Sequence, residues 1–117
     1  DAAQGCAMAA PHKFGVILRE IRRVKGMTQE ELAQKAGRSV DAVSQWERAV
    51  NWPTFDTLVR LSAALEVPVR TFFEQTEAPR SDQRLRMEVE ARLLLESMSD
   101  RDLSIAIEQL RALIRRR

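Results

Sequence analysis

The side chains that could carry covalent or metal chemistry are few in this chain, and they lie far apart in the sequence. The single cysteine, Cys6, excludes an internal disulfide and a multi-cysteine zinc site, and the single histidine, His12, excludes a metal cluster built on histidines. Two acidic pairs occur, Glu30-Glu31 and Asp100/Asp102. Each pair falls in the first turn of a predicted helix, where the helix dipole favours negative charge without any catalytic role. We therefore expect no enzyme, no cofactor and no bound metal.

The polar residues between Thr28 and Arg48 offer a different chemistry, that of hydrogen bonding from the surface of two short helices. Thr28 and Glu31 have the spacing of a capping box, which predicts a helix over 28–36 that ends at Gly37. Ser39 is the predicted cap of the next helix, 39–48. Two short helices joined by a glycine-containing turn have the spacing of a helix-turn-helix.

These two helices need neighbours that hold them in place, and the apolar spacing predicts an all-α domain around them. No segment shows the alternation of a strand. The first helix, 12–25, carries Phe14, Ile17, Leu18, Ile21 and Val24. The fourth begins at Thr54 and carries Phe55, Leu58, Val59, Leu61, Ala64 and Leu65, and a short fifth carries Val69, Phe72 and Phe73. Together they predict a five-helix domain over 12–75, preceded by a segment, 1–11, that is disordered or vector-derived.

The rest of the chain is predicted to form a separate helical tail. A polar stretch, 76–82, is predicted to be a linker, and two helices over 83–117 are predicted to form an antiparallel hairpin because their junction is short. The apolar faces of this hairpin are too broad for one seam, so another surface must cover them. Packing against the N-terminal domain and pairing with a second chain both remain open, and the polar linker favours pairing. The predicted dimer interface consists of Leu85, Val89, Leu93, Leu94, Leu103, Ile107, Leu110 and Ile114.

Residues 28–37 (TQEELAQKAG) and 43–48 (VSQWER) resemble the Cro and phage-repressor family of DNA-binding domains, also called the XRE family. Residues 18–22 (LREIR) match the same family ahead of these segments. Further matches after them are Pro53, Thr57, Leu58, Leu61, Ala64, Leu65 and Val67. The resemblance covers about residues 13 to 74. It implies a Cro/repressor-like domain of five helices whose third helix enters the major groove of DNA.

The resemblance also implies roles for individual side chains around the second and third helices. Those implied to face base edges are Gln29, Val40, Asp41 and Ser44. Those implied to lie along DNA phosphates are Arg22, Arg38, Ser39, Gln45, Arg48, Asn51 and Trp52. Arg22 and Glu47 match an ion pair of the family that ties the first helix to the third.

The chain departs from the family pattern at the end of the third helix and on its outer face. Ala49 stands where the family usually has glycine, so we expect an extended or strained helix end there. Val40 can contact a thymine methyl group but cannot hydrogen-bond a base. Asp41 repels phosphate, although a carboxylate can accept a hydrogen bond from cytosine N4. These departures obscure the target sequence but leave docking in the groove intact.

Positive charge is concentrated in the segment that would contact phosphate. Residues 12–53 hold eight basic and five acidic residues, a net charge of +3. Residues 54–79 hold two basic and four acidic residues, a net charge of −2. Because nucleic-acid binding depends on Lys and Arg near phosphates, this distribution favours DNA binding by the helix-turn-helix segment.

These observations predict a transcriptional regulator, more specifically a repressor, that binds double-stranded DNA as a homodimer at a palindromic operator. The alternative is an antitoxin or another protein-binding module of the same fold, whose hairpin clamps a partner protein. A toxin or an antirepressor protein is the expected kind of partner. No apolar run approaches the roughly 18 residues of a membrane span, and we expect a cytoplasmic protein.

Overall fold

The computed structural model describes residues 11–73 and 81–116, and within these ranges every regular element is a helix. The elements are α1 (Pro11–Val24), α2 (Gln29–Ala36), α3 (Val40–Glu47), α4 (Phe55–Leu65), a 3₁₀ helix (Val69–Phe73), α5 (Asp82–Glu96) and α6 (Asp100–Arg115). The all-α prediction is therefore confirmed, and each predicted helix is present. The predictions for residues 1–10 and for residues 76–80 of the linker lie outside the described residues.

Hydroxyl side chains fix where most of the helices begin. The Thr28 hydroxyl accepts from the Glu31 backbone N–H at 3.0 Å, and the Glu31 carboxylate accepts from the Thr28 N–H at 2.8 Å. This is the predicted capping box of α2. Ser39, Thr54 and Ser99 cap α3, α4 and α6 in the same way, each accepting from the N–H three residues on. The N–H groups at these helix starts would otherwise lack partners, so the spacing of α2, turn and α3 is encoded locally.

The hydrophobic core lies where α1, α2, α3 and α4 meet. Its largest fully buried side chains are Phe14, Phe72, Ile17, Leu18, Ile21, Leu32, Leu61, Leu65, Leu85 and Val43. Burying a side chain of this kind stabilises the fold by roughly 1.5–3 kcal/mol. The predicted apolar stripe of α4 is too wide, because Phe55 is 70% exposed and Val59 is 42% exposed. These two residues lie about a quarter turn around α4 from Leu58, Leu61 and Leu65, which face the core.

Helix α5 packs back against α1 within the same chain. Leu85, Val89 and Leu93, spaced at i, i+4 and i+8, are no more than 6% exposed and belong to the same core as Phe14 and Ile17. The prediction that Leu85, Val89 and Leu93 lie in a dimer interface is therefore wrong. Helix α1 covers these three side chains, so they leave no exposed apolar surface for a second chain to bury.

Ion pairs flank the contact between α1 and α5. Lys13 Nζ lies 3.5 Å from Asp82 Oδ1, and Arg23 Nη2 lies 3.3 Å from Glu90 Oε1. Arg23 also donates to both carboxylate oxygens of Glu20, at 3.2 and 2.6 Å. The hydrogen bond to Glu20, with a smaller contribution from Glu90, raises the pKa of the Arg23 guanidinium above its ordinary value. Arg23 thus links Glu20 on its own helix to Glu90 on α5.

Helix α6 does not fold back along α5. It begins after a junction of Ser97, Met98 and Ser99, but it packs closely against no other helix of the described ranges and buries none of its residues. Both C-terminal helices exist as predicted, whereas their predicted packing as an antiparallel hairpin is wrong. The buried stripe of α5 packs against α1, while Met87 and Leu94 of α5 and Met98 of the junction stay 52%, 47% and 36% exposed.

Helix α1 makes its closest backbone approach to α3 at Gly15. A Cβ atom on Gly15 would lie 2.7 Å from the Glu47 carbonyl oxygen and 2.8 Å from that of Trp46. Both neighbours are backbone atoms at the end of α3, so neither can move without shifting that helix. Because Gly15 has no side chain, the backbones of α1 and α3 can approach each other this closely.

We predict that Gly15→Ala destabilises the protein by roughly 1–3 kcal/mol, because the added methyl group forces α1 and α3 apart. Helix propensity alone predicts the opposite sign, since alanine is favoured over glycine in a helix interior by about 1 kcal/mol. Urea denaturation followed by circular dichroism measures the difference. A variant more stable than the wild type would show that the close approach is not a constraint.

Candidate nucleic-acid interface

The turn between α2 and α3 places α3 on the surface at a fixed angle. Gly37 ends α2 in the left-handed region, with φ of +70°, and the Arg38 N–H donates back to the Ala33 carbonyl. Glycine adopts this conformation without the penalty that a Cβ brings. Val43 is fully buried beneath α3 and Trp46 nearly so. These two anchors leave the opposite side of α3 facing solvent.

The outward side chains of α3 and of the loop after it form two separate sets of hydrogen bonds. Gln45 Nε2 donates to Asp41 Oδ2 at 3.0 Å, and Asn51 Nδ2 donates to Gln45 Oε1 at 3.2 Å. Arg48 Nε donates to Ser44 Oγ at 3.1 Å. The structure thus brings five of the predicted DNA-contacting residues onto one surface. Their donors and acceptors are aligned along the helix, which suits contact with base edges and phosphates.

Glu47 is the central acceptor behind this surface. Arg22 holds it in a bidentate pair, with Nε 2.7 Å from Oε2 and Nη2 3.1 Å from Oε1. Gln29 Nε2 donates to the same Oε1 at 2.9 Å, and Arg22 Nη1 donates to the Met27 carbonyl at 2.8 Å. The Glu47 side chain is only 4% exposed and that of Arg22 15%. The ion pair expected between α1 and α3 is therefore present, and it also holds Gln29 at the start of α2.

Arg38 is engaged within the chain to a degree that the sequence did not indicate. Its Nε donates to Thr57 Oγ1 at 3.0 Å, its Nη1 to the Gly37 carbonyl at 2.9 Å and its Nη2 to Asp56 at 3.1 Å. These bonds brace the turn after α2 against the start of α4. Arg38 was predicted to lie along phosphates. To contact DNA, its guanidinium would have to share or exchange these hydrogen bonds.

Trp52 belongs to an aromatic stack as well as to the surface. Its ring lies 5.3 Å from that of Phe14 and 6.4 Å from that of Phe73, nearly parallel to the latter. The residue is 37% exposed. Sequence reasoning placed Trp52 along phosphates and missed this packing, because the three rings come together only in the folded chain. The stack also fixes the loop that follows α3.

The end of α3 carries backbone strain at Ala49. Its φ is +66°, in the left-handed region that L-residues other than glycine, asparagine and aspartate seldom adopt. The strained helix end predicted from the departure at this position is therefore present. The left-handed conformation costs an alanine about 1–2 kcal/mol.

Two further observations concern metal-ligating groups and membrane-spanning helices among the described residues. Within 11–73 and 81–116, no three or more His, Cys, Asp or Glu side chains form a group that could hold a metal ion. In the same ranges no helix is long and apolar enough to cross a membrane.

Comparison with known proteins identifies the same segment. A family model described as helix-turn-helix, HTH_3, matches residues 18–72, which end before α5 and α6. Among solved structures, the chain is similar to the restriction-modification controller protein C.AhdI from Aeromonas hydrophila, with 35% sequence identity and a TM-score of 0.54. That match covers 56% of this chain and 98% of the controller protein. No curated protein sequence matches the chain.

We predict that Glu47→Ala destabilises the protein by about 3 kcal/mol, because it leaves the Arg22 guanidinium without the carboxylate that compensates its partial burial. Arg22→Ala should have a similar effect, and the double variant should lose less than the sum of the two. Arg60→Ala is the matched control, since it removes the exposed pair with Asp56 and should cost less than about 1 kcal/mol. Equal denaturation midpoints for Glu47→Ala and wild type would refute the structural role of the pair.

We also predict that Ala49→Gly stabilises the protein by about 1 kcal/mol, because glycine relieves the left-handed strain at the end of α3. The control is Ala63→Gly, the same chemical change at an exposed position inside α4, which should destabilise by about 1 kcal/mol. Thermal and urea denaturation of both variants measure the two signs. A loss of stability in both would mean that Ala49 carries no strain.

Proposed function

Because the chain belongs to the XRE/Cro-like helix-turn-helix family of DNA-binding domains, we propose that it is a transcriptional repressor that binds a palindromic operator as a homodimer. Helix α3 is the proposed recognition helix and lies in the major groove. Helix α2 crosses the DNA backbone, as the first helix of this motif does. The similarity to a restriction-modification controller protein supports a regulatory role for this chain as well.

The observation that carries the proposal is the hydrogen-bonded outer surface of α3. Its acceptors and donors are fixed by the buried anchors Val43 and Trp46 and by the bonds among the outward side chains. A helix fits the major groove, where each base pair presents its own pattern of donors and acceptors. A rigid surface of this kind loses little side-chain entropy on binding, which favours discrimination between sequences.

The residues proposed to contact base edges are Gln29, Val40, Asp41 and Ser44. Val40 is 41% exposed at the start of α3, where its methyl groups suit a thymine methyl. Asp41 accepts from Gln45, so a cytosine amino group would share or replace that bond. Gln29 donates to Glu47 and keeps its own carbonyl oxygen for a donor on DNA.

The residues proposed to lie along phosphates surround this central group. They are Arg22, Arg38, Ser39, Gln45, Arg48, Asn51 and Trp52. Arg48 is exposed at the end of α3 and uses Nε for Ser44, which leaves its terminal nitrogens for phosphate. The net charge of +3 over residues 12–53 supplies the long-range attraction.

A second candidate function rests on the exposed apolar side of α6. An antitoxin or another protein-binding module of this fold would use that side to hold a toxin or an antirepressor protein. Such a module can still bind DNA through α3, so the two candidates share the candidate interface. Copurification of a stoichiometric partner protein with the chain would favour this second candidate.

The test of the proposal is selection of bound duplexes from random DNA. We expect two related half-sites about 34 Å apart, centre to centre, which is one helical turn. Binding should weaken steeply as salt rises, because phosphate contacts release counterions. Absence of duplex binding, or binding to single strands alone, would contradict the proposed function.

Two variants of α3 provide the matched comparison within this experiment. Ser44→Ala should cost roughly 1–3 kcal/mol on the selected site and relax the preference at particular bases. Arg48→Ala should weaken binding to all duplexes alike and reduce the salt slope by about one. An equal loss on every duplex for Ser44→Ala would show that Ser44 does not contact a base.

A further inference from the structure

The last described helix, α6, has one apolar side that is half-buried at Leu103 and Ala106 and exposed from Ile107 onward. The residues on this side are Leu103, Ala106, Ile107, Leu110, Leu113 and Ile114. Ile107, Leu110 and Ile114 are 38%, 47% and 69% exposed. A helix of this length has marginal stability in water unless its apolar side is packed. A contiguous exposed apolar surface on a small protein indicates an interaction site.

Four of the five large aliphatic residues of this side form a pattern that is unchanged when the helix is reversed, and the fifth, Leu113, exchanges with Ser104. Reversal about the midpoint between Glu108 and Gln109 places Leu103 on Ile114 and Ile107 on Leu110. A twofold axis through that midpoint therefore sets aliphatic residues of one copy against aliphatic residues of another. An isologous interface requires this self-complementarity, whereas an unrelated partner imposes no such symmetry.

The charges at the ends of α6 select the direction of pairing. Asp100 and Asp102 lie in its first turn, and Arg115 and Arg116 lie at its end. None of these four side chains forms an ion pair with any residue in 11–73 or 81–116. Antiparallel pairing places the acidic end of each helix beside the basic end of the other, and the helix dipoles then also oppose. Parallel pairing would bring like charges together at both ends.

We propose that α6 pairs with α6 of a second copy of this chain in an antiparallel arrangement, and that this pair is the interface of the homodimer. The inference rests on the proposed function in one respect, because it assigns the interface through which two recognition helices are joined. It replaces the wider interface predicted from the sequence. Leu85, Val89 and Leu93 stay in the core of each copy, Leu94 remains 47% exposed on α5, and α6 supplies the proposed seam.

The first experiment compares two equivalent substitutions on opposite sides of α6 in the full chain. Leu110→Asp places a charge in the seam, and Ile105→Asp places one on the far side, where Ile105 is 50% exposed. By sedimentation we expect a dimer for wild type and for Ile105→Asp. Leu110→Asp should raise the dimer dissociation constant by roughly 100-fold or more, as loss of a central anchor does.

A third variant tests a second exposed apolar surface among the described residues. Phe55 and Val59 lie side by side on α4 and are 70% and 42% exposed. If Val59→Asp dissociates the dimer and Leu110→Asp does not, the interface lies on α4 and the proposal is overturned. Circular dichroism of each variant establishes that α1 to α5 remain folded, since all three substituted side chains are exposed.

The second experiment tests the antiparallel direction by disulfide formation in a Cys6→Ser background. Chains carrying Leu103→Cys are mixed with chains carrying Ile114→Cys, allowed to exchange and then oxidised. We expect the mixed disulfide, because the two positions face each other across the seam. Leu103→Cys alone should not cross-link, since antiparallel pairing separates the two copies of residue 103 by about 16 Å along the axis, beyond the roughly 7 Å limit for Cα atoms in a disulfide. Efficient cross-linking of Leu103→Cys alone would indicate parallel pairing and overturn the proposal.

The outcomes for the interface and for DNA binding are separable. A wild-type chain that is monomeric in sedimentation but selects a duplex sequence overturns the α6 pairing and leaves DNA binding intact. A dimer that loses its association in Leu110→Asp but binds no duplex supports the pairing and contradicts the proposed function.

Discussion

The carboxylate of Glu47 is the contact on which the arrangement of the first three helices depends. It accepts two hydrogen bonds from Arg22 on α1 and one from Gln29 on α2, while its own backbone carbonyl lies against Gly15. A carboxylate that is almost fully buried must be compensated, so these partners are constrained as firmly as Glu47 itself. The outer surface of α3 is therefore oriented from behind. The contacts that hold α3 against α1 and α2 thus lie beneath its exposed side chains.

Much of the fold follows from local sequence rules, and the reasons are physical. The hydroxyl caps at Thr28, Ser39 and Thr54 bond backbone groups three residues away, so the signal and its structure lie in the same short segment. The left-handed turn at Gly37 is likewise local. The strain at Ala49 was expected from the family resemblance, because the family usually has glycine at that position and a Cβ atom is unfavourable in the left-handed region.

Contacts between residues that are far apart in the sequence could not be predicted from such local rules. The spacing of Leu85, Val89 and Leu93 identifies an apolar side of α5 but cannot indicate whether α1 or a second chain covers it. The engagement of Arg38 by Thr57 depends on residues 19 positions apart, and the stack of Trp52 with Phe14 spans a longer separation. The sequence thus located the candidate interface, whereas the packing behind it and the course of the C-terminal helices required the folded chain.

The short junction between α5 and α6 has a consequence for the geometry of a bound operator. Ser97 donates to the Leu94 carbonyl, and Ser99 caps α6, so the junction is ordered by its own hydrogen bonds. Since α5 is fixed to α1, a seam at α6 would connect the two recognition helices through ordered helices from end to end. Such a connection would be rigid and would hold the two recognition helices at a fixed distance and angle. One base pair inserted between the half-sites rotates the second half-site by roughly 35° about the DNA axis. A rigid connection between the recognition helices cannot follow that rotation. The protein would then recognise the phase of its two half-sites as strictly as their bases.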